Sequence, residues 1–537
     1  MQRIALLLVL FCFGITNAQV QKLAELSSGM FIDSAVIMEQ DESDVYGYCL
    51  LYELDRKSKE VFELEYVILD KNLNKLTSIT LTQAIFKTWM AKTTAELTFV
   101  KKIGNQLTIA VNDRIANMNS YSALPFFNYR FIQLNLDNFT FSKEFKYENF
   151  TKSELEYKSG DKVSFDDIWN LQKLIKTNGN YILSFGSPEY NPKAAVSSNV
   201  MNLEYKKYKS IKKFALLDKD MSIVWSKDIN GNDKEACRYE YLDSDNDILL
   251  LKKEELIKKE YYVIKGIEAY DMNTGKLIGE MKVEDEKYDI TLYSVDIVKD
   301  RIHVFANAYE KSKSARSLGY AHIVFDKSSA AETGRSFMLW KNMGSVVPAI
   351  SEYGRIGKDD RILAQDFVIN SKGNTVAIFE AYDTKDKYDP LNGTQKMYVL
   401  LKDMYIVEAD ASGAIVFSKK IEKTNSVLAP AGLHALQLKK YGVYDYIFCQ
   451  KINKSGDFVL FYTLNDQEGS RKKVAKKPLW TLGMISNVGG DYGFEALPLY
   501  GDDLKIYPGL AKNGYIRLLE VNQKTNQAEM RLEKINY

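Results

Sequence analysis

A short pattern recurs seven times along the chain: an apolar strand, an Asp or Asn, a polar turn of a few residues, and a second strand. It occupies residues 66–82, 131–147, 214–229, 267–283, 322–339, 406–421 and 518–535. Aligned, the turns open on Asp70, Asn135, Asp218, Asp271, Asp326, Asp410 and Asn522. A short Asx side chain accepts a hydrogen bond from the backbone two residues on, so it starts a tight turn without outside help. A repeat of this kind means that one hairpin-based unit cannot bury its apolar face alone and must stack on its neighbours.

Each hairpin follows another strand pair, at 31–54, 97–112, 171–187, 238–254, 293–310, 363–383 and 444–464. Alternation is plain in Gln106–Val111 and Asp457–Tyr462, the period expected of half-buried strands. Four strands per unit predict an all-β chain, read as a seven-bladed β-propeller of four-stranded antiparallel blades. The blades fall near 31–82, 97–147, 171–230, 238–284, 293–339, 363–421 and 444–535, within one domain spanning 19–537. Stacked sandwiches are the alternative. The 9 prolines and the uniform composition give no linker, and 35 tyrosines suit pleated surfaces.

Two units carry a family likeness. IEAYDMNTGKLIGEMKV at 267–283 resembles the repeat of quinoprotein-like propellers, in which a strand ending in Asp precedes a Thr-Gly-Lys turn. FALLDKDMSIVWSKDI at 214–229 is a weaker match, with Trp225 where that family often carries a docking tryptophan. The likeness implies propeller architecture and says little for a quinone; no cofactor is expected. More broadly the chain resembles uncharacterised secreted β-propeller proteins of Bacteroidetes-type bacteria, whose implied function is itself unknown.

Residues 1–18 read as a signal peptide: Arg3, an apolar run over 4–15, then Thr16-Asn17-Ala18 as a small-residue cleavage site. The run is too short to span a bilayer, and no later stretch suffices, so no membrane span is expected. A secreted or periplasmic, monomeric product follows. Lys and Arg number 72 against 71 Asp and Glu, so nothing steers the chain toward nucleic acid. Besides Cys12, only Cys49, Cys237 and Cys449 are present. They read as small buried apolar residues, with one bridge still open.

Tight turns are expected between the first and second, and third and fourth, strands of each unit. The long connections are then 188–213, 384–405, 465–517, 148–170, 340–362 and 422–443, all on one face, the usual geometry of a binding surface. Candidate ligand-binding residues on that face are Asp166, Trp169, Tyr353, Arg355, Asp491 and Tyr492. The last two lie in 483–503, read as a capping loop. Catalytic residues are not identifiable, and no metal site is expected. His303 and His322, on adjacent strands, read as satisfied strand histidines. Asp243, Asp245, Asp247 and Glu254 mimic calcium-loop spacing, but Ile248 stands where glycine is required, so a polar hairpin turn is preferred. Basic clusters at 206–213 and 471–477 read as solvated loop charge. The leading expectation is a non-catalytic binding or scaffold protein for a protein or glycan of the cell envelope. A glycan-active enzyme using funnel carboxylates is the alternative, and a quinoprotein-like role the weakest.

Overall fold

The computed structural model describes residues 19–57, 61–84, 92–116, 130–142, 145–146, 172–176, 181–185, 213–220, 222–228, 237–257, 261–358, 360–389, 394–422, 428–431, 446–453, 456–465, 480–499, 504–522, 524–525 and 527–535. Asp166, Trp169, the leader 1–18 and the clusters 206–212 and 471–477 lie outside them. Among the described residues the chain is all-β, apart from 3-10 turns at Leu23–Glu25 and Trp340–Asn342. It divides into two compact units, one built from 1–116, 128–149 and 501–537, the other from 117–127 and 150–500.

The first unit opens with β1 (Gln19–Lys22), followed by the meander β2 (Met30–Met38), β3 (Val45–Arg56), β4 (Val61–Asp70) and β5 (Lys75–Ala84). A second meander comprises β6 (Lys92–Ile103), β7 (Gln106–Ala116), β8 (Arg130–Asn135), β9 (Thr140–Phe141) and β10 (Phe145–Lys146). One parallel bridge, Met38 to Lys101, fuses the two into a nine-stranded sheet.

In the second unit, β11 (Gln172–Lys176), β12 (Tyr181–Phe185), β13 (Lys213–Leu217) and β14 (Ile223–Asp228) form one antiparallel sheet. β15 (Cys237–Ser244), β16 (Ile248–Ile257), β17 (Tyr261–Asp271) and β18 (Leu277–Met281) form the next. A third is β19 (Tyr288–Val298), β20 (Arg301–Glu310), β21 (Lys313–Asp326) and β22 (Glu332–Leu339). The fourth is β23 (Arg355–Ile356), β24 (Asp360–Ile369), β25 (Thr375–Asp389), β26 (Thr394–Ala409) and β27 (Ile415–Ile421), with β28 (Leu428–Ala431) beside β26. The fifth is β29 (Tyr446–Lys451), β30 (Phe458–Asn465), β31 (Trp480–Val488) and β32 (Asp491–Leu499).

Returning to the first unit, β33 (Leu504–Gly509), β34 (Tyr515–Asn522) and β35 (Ala528–Lys534) make a sheet that β1 completes along β35. The unit expected over 444–535 therefore divides: 446–499 is a complete four-stranded sheet, and 504–534 belongs to another that takes its fourth strand from residues 19–22. The segment 483–503, expected as a capping loop, contains most of the hairpin β31–β32 instead. Its two-residue turn is Gly489-Gly490, both at positive φ (60° and 87°). Such a turn matches the twist of flanking strands, and only glycine adopts it without cost. Likewise 384–405, expected as a loop, continues β25 and β26 as paired strands up to Asp389 and Thr394.

The seven Asx turns form. Asp70 accepts from the amides of Asn72 and Asn74, Asp218 from Asp220 and Ser222, Asp271 from Thr274, and Asp326 from Ser328 and Ser329. Asn135, Asp410 and Asn522 do the same for Asp137, Ser412 and Lys524. The apolar faces between turns meet in separate cores. In the first unit, Leu64, Tyr66, Ile68, Leu107, Ile109 and Ile132 are among the fully buried residues of one core. In the second, Trp340, Phe305, Phe367 and Phe379 anchor another, each large side chain contributing about 1.5–3 kcal/mol through burial.

Candidate functional site

First strands of neighbouring sheets approach one another in the second unit, and their polar residues converge. Four of these strands carry a β-bulge, between Tyr241 and Asp243 in β15, Leu292 and Ser294 in β19, Ala364 and Asp366 in β24, and Tyr446 and Phe448 at the start of β29. A bulge re-aims the following side chain, and in β15 and β24 that residue is an aspartate. Asp243 accepts from the Ser244 amide at 2.8 Å and Asp366 from the Phe367 amide at 2.9 Å. The Tyr446 hydroxyl donates to the other oxygen of Asp366. Lys451 of β29 holds Asp296 of β19 through both oxygens, at 2.9 and 3.0 Å.

Burial, reinforced by the charge of Asp296, holds the Asp243 carboxyl up at about 6, against amide hydrogen bonds and Lys451. Behind this row His303 and His322 stack at 5.1 Å, with Nδ1 of His303 2.9 Å from Nε2 of His322. Thr375 Oγ1 lies 3.1 Å from His322 Nδ1. Burial pushes these imidazoles down to about 4 and about 3, so both are neutral at pH 7. The strand-histidine reading holds: their ring nitrogens serve each other and Thr375.

The turn that imitates a calcium loop joins β15 to β16, and its carboxylates hold an ammonium group. Lys327 Nζ donates to Asp245 and Asp247, 2.6 Å from each.

At the tight-turn end of the fourth and fifth sheets lies a cleft of about 570 Å³, lined by Lys372, Asn374, Glu408, Val416, Phe417, Gly490, Asp491, Tyr492 and Phe494. Its floor is built on Glu408, which is 3 % exposed. Glu408 accepts from Asn370 and Asn374 at 2.9 and 2.7 Å and from the Tyr492 hydroxyl at 2.7 Å. Burial and that carboxylate raise the Tyr492 pKa, which keeps the phenol protonated and donating. Its ring stacks on Phe417 with centroids 4.0 Å apart and planes 8° apart. Phe494, two residues along the same strand face, lies within 22° of parallel to Tyr492 and is 45 % exposed, with Lys419 Nζ 5.2 Å from its centre. Asp491 is exposed on the rim, and Lys372 Nζ reaches Gly490 O at 3.0 Å.

Phe417 occupies in its repeat the place of Trp225. That indole donates to Met272 O at 2.8 Å and packs under Gly275, on the third-to-fourth-strand turn of the next sheet. Aromatic docking between sheets is thus a repeated device, and the fourth sheet alters it by meeting a tyrosine and leaving Phe494 beside it.

The expected site residues separate. Asp491 and Tyr492 share the cleft, at the tight-turn end of their sheet and away from the long-connection end to which they were assigned. Tyr353 and Arg355 lie in the connection from β22 to β24, on a turn whose amides bond Ser351 Oγ, and Arg316 sits 5.3 Å over the Tyr353 ring. Phe494, Lys372, Glu408 and the bulge aspartates were missed. For Phe494 the signal was alternation after Gly489-Gly490.

A model of a family of unknown function (DUF6770) matches residues 1–85. No curated protein matches the chain. Among solved structures, an ulvan lyase of polysaccharide lyase family PL25 is similar at 9% identity over 81% of this chain and 91% of that one, with a TM-score of 0.34. A prolyl endopeptidase structure gives 10% identity, 90% and 53% coverage and 0.32, so the chain spans about half the length of that protein. An apocarotenoid oxygenase mutant of Synechocystis gives 9%, 58% and 64%, and 0.29. Likenesses this slight carry no argument about function.

Proposed function

We propose that this chain is a secreted or periplasmic, non-catalytic binding protein whose four-stranded meanders are propeller blades, and that it takes a glycan segment in the Phe417–Tyr492–Phe494 cleft. Among the described residues the meanders number eight once 446–499 and the sheet closed by β1 are counted apart, one more than the seven read from sequence. The observation that carries the binding reading is the row of near-parallel rings beside groups of both hydrogen-bonding senses. Ligand sites pair an apolar wall with a few placed polar groups in clefts of roughly 300–1,000 Å³, and 570 Å³ falls within that range. A pyranose presents the same duality, an apolar C–H face and a hydroxyl rim. Lys372 and Asp491 supply a donor and an acceptor at the cleft edge, and their opposite charges favour a neutral sugar over a strongly charged one.

The test is a glycan-array screen of the mature chain, followed by titration calorimetry of the best binder against Phe494→Ala. Phe494 is exposed and holds no core, so the variant is expected to fold. A loss of about tenfold in affinity, roughly 1.4 kcal/mol, is the expected result. An array without binders, or undiminished affinity in Phe494→Ala, overturns the reading.

A further inference from the structure

In the first unit, one arginine is set into the fold with no carboxylate in ion-pair contact among the described residues, although the charge of Asp33 acts on it from farther off. Arg56 and Arg531 of the same unit each hold a glutamate, Arg56 through Glu53 and Arg531 through Glu520 at 2.7 Å. Arg517 of β34 makes no such pair among the described residues. Its Nη1 stands 3.5 Å from Ser34 Oγ, its guanidinium carbon is 5.6 Å from the centre of the Tyr48 ring, and its Nε is buried with no hydrogen-bond partner. Tyr48 is fully buried, and its hydroxyl also has no partner. The neighbouring Asp33 directs its oxygens to the amides of Ser34 and Leu97, at 2.8 and 2.9 Å.

Opposite Arg517 in the ladder stands Gly509 of β33. A Cβ there would come within 2.4 Å of Nη2, so the absent side chain is what lets the guanidinium lie across β33. Glycine inside a strand often marks such a close approach. The guanidinium stays charged at any physiological pH and offers five donors in a planar fork. Here Nε has no hydrogen-bond partner and Nη1 reaches Ser34 Oγ at 3.5 Å.

We propose that the Arg517 guanidinium, with Ser34 Oγ beside it and the Tyr48 ring beneath, binds a small oxyanion: a carboxylate, sulfate or phosphate group. The fork matches two oxygens of such a group at once, an arrangement stronger than a neutral hydrogen bond. This site uses none of the cleft residues and stands or falls apart from the glycan reading.

The experiment is titration calorimetry of the mature chain with sodium sulfate, sodium phosphate and sodium acetate, with sodium chloride as the control salt. Saturable one-to-one binding of at least one oxyanion is expected. It should weaken by about tenfold in Arg517→Lys, which keeps the charge and loses the fork, and vanish in Arg517→Met. Tighter acetate than sulfate marks a carboxylate ligand, and the reverse marks a sulfate or phosphate. Because Arg517→Met removes an embedded side chain, Gly509→Ala serves as the second variant; it leaves the arginine in place but displaces the fork, and should also weaken binding. Absence of saturable binding by any of the three salts overturns the proposal. So does parental affinity in whichever variant is folded by circular dichroism.

Discussion

Asp33 Oδ2 accepts a hydrogen bond from the main-chain amide of Leu97 at 2.9 Å, joining β2 to β6 across 64 residues of chain. Its Oδ1 takes the amide of Ser34 at 2.8 Å, so one carboxylate caps a bulge in its own strand and clasps the first strand of the next meander. Asp243 and Asp366 follow the same plan in the second unit, with the amide of Ile297 and the hydroxyl of Tyr446 as their second partners.

Removing the Asp33 clasp strands two amides. Hydrogen bonds to a charged group are worth about 1.5–3 kcal/mol, and a buried donor left without a partner adds to the loss. Asp33→Ala should lower unfolding free energy by about 2–3 kcal/mol in urea titrations, and Asp33→Asn, which keeps one acceptor, by about half. Equal midpoints for Asp33→Ala and the parent would show that the clasp contributes nothing.

Asp243 gives a pH dependence of unusual sign for a carboxylate. Its folded pKa of about 6 lies above the ordinary 3.8, so between roughly pH 4 and 6 the folded state binds more protons than the unfolded one. Stability from this group is present below pH 4 and is lost as pH rises through 6. The loss is on the order of 2 kcal/mol, allowing for water at these partly exposed strands. Asp243→Asn should flatten that slope in denaturant midpoints measured from pH 4 to 8. An unchanged slope would refute the assignment.

The stacked histidines act in the opposite direction. With folded pKa values of about 4 and 3 against 6.5 unfolded, they leave the folded state short of protons below pH 6.5. Stability is therefore lost as pH falls from 6.5 toward 4. His322→Gln should reduce the acid sensitivity of stability in that window. A steeper acid limb in the variant would contradict the neutral pair.

Gly275 sits at φ 66°, and a Cβ there would meet the Trp225 ring at 2.9 Å. Gly275→Ala should cost about 1–3 kcal/mol, from the left-handed backbone and the displaced indole together. The Trp225 share of tryptophan emission, obtained by difference against Trp225→Phe, should shift to the red. A variant with parental stability and emission would show that the indole is not docked on this turn.

The Asx turns were legible from sequence. The Asx turns depend on one side chain and two or three amides, and all seven expected positions form them. Six of the expected four-strand groups coincide with observed ones. The last differs because 483–503, expected as a capping loop, holds a hairpin turning on Gly489-Gly490; glycine serves both a ligand loop and a two-residue hairpin, and only the alternation around it separates them. The candidate site was legible in part. Asp491 and Tyr492 do line a cleft, but Phe417 and Lys372 come from another sheet, and no local pattern links them to Tyr492.

By itself the sequence determined the strand periodicity, the seven Asx turns and the grouping of strands into six of the meanders, because each depends on interactions within a few residues or one hairpin. Tertiary structure alone decided that residues 19–22 complete the sheet of β33–β35, that bulge aspartates clasp neighbouring first strands, and that Arg517 is left with no ion-pair partner among the described residues. Those outcomes depend on which edges and side chains meet across tens to hundreds of residues, where hydrogen-bonding partners are chosen by proximity in space and leave no spacing in the chain to read.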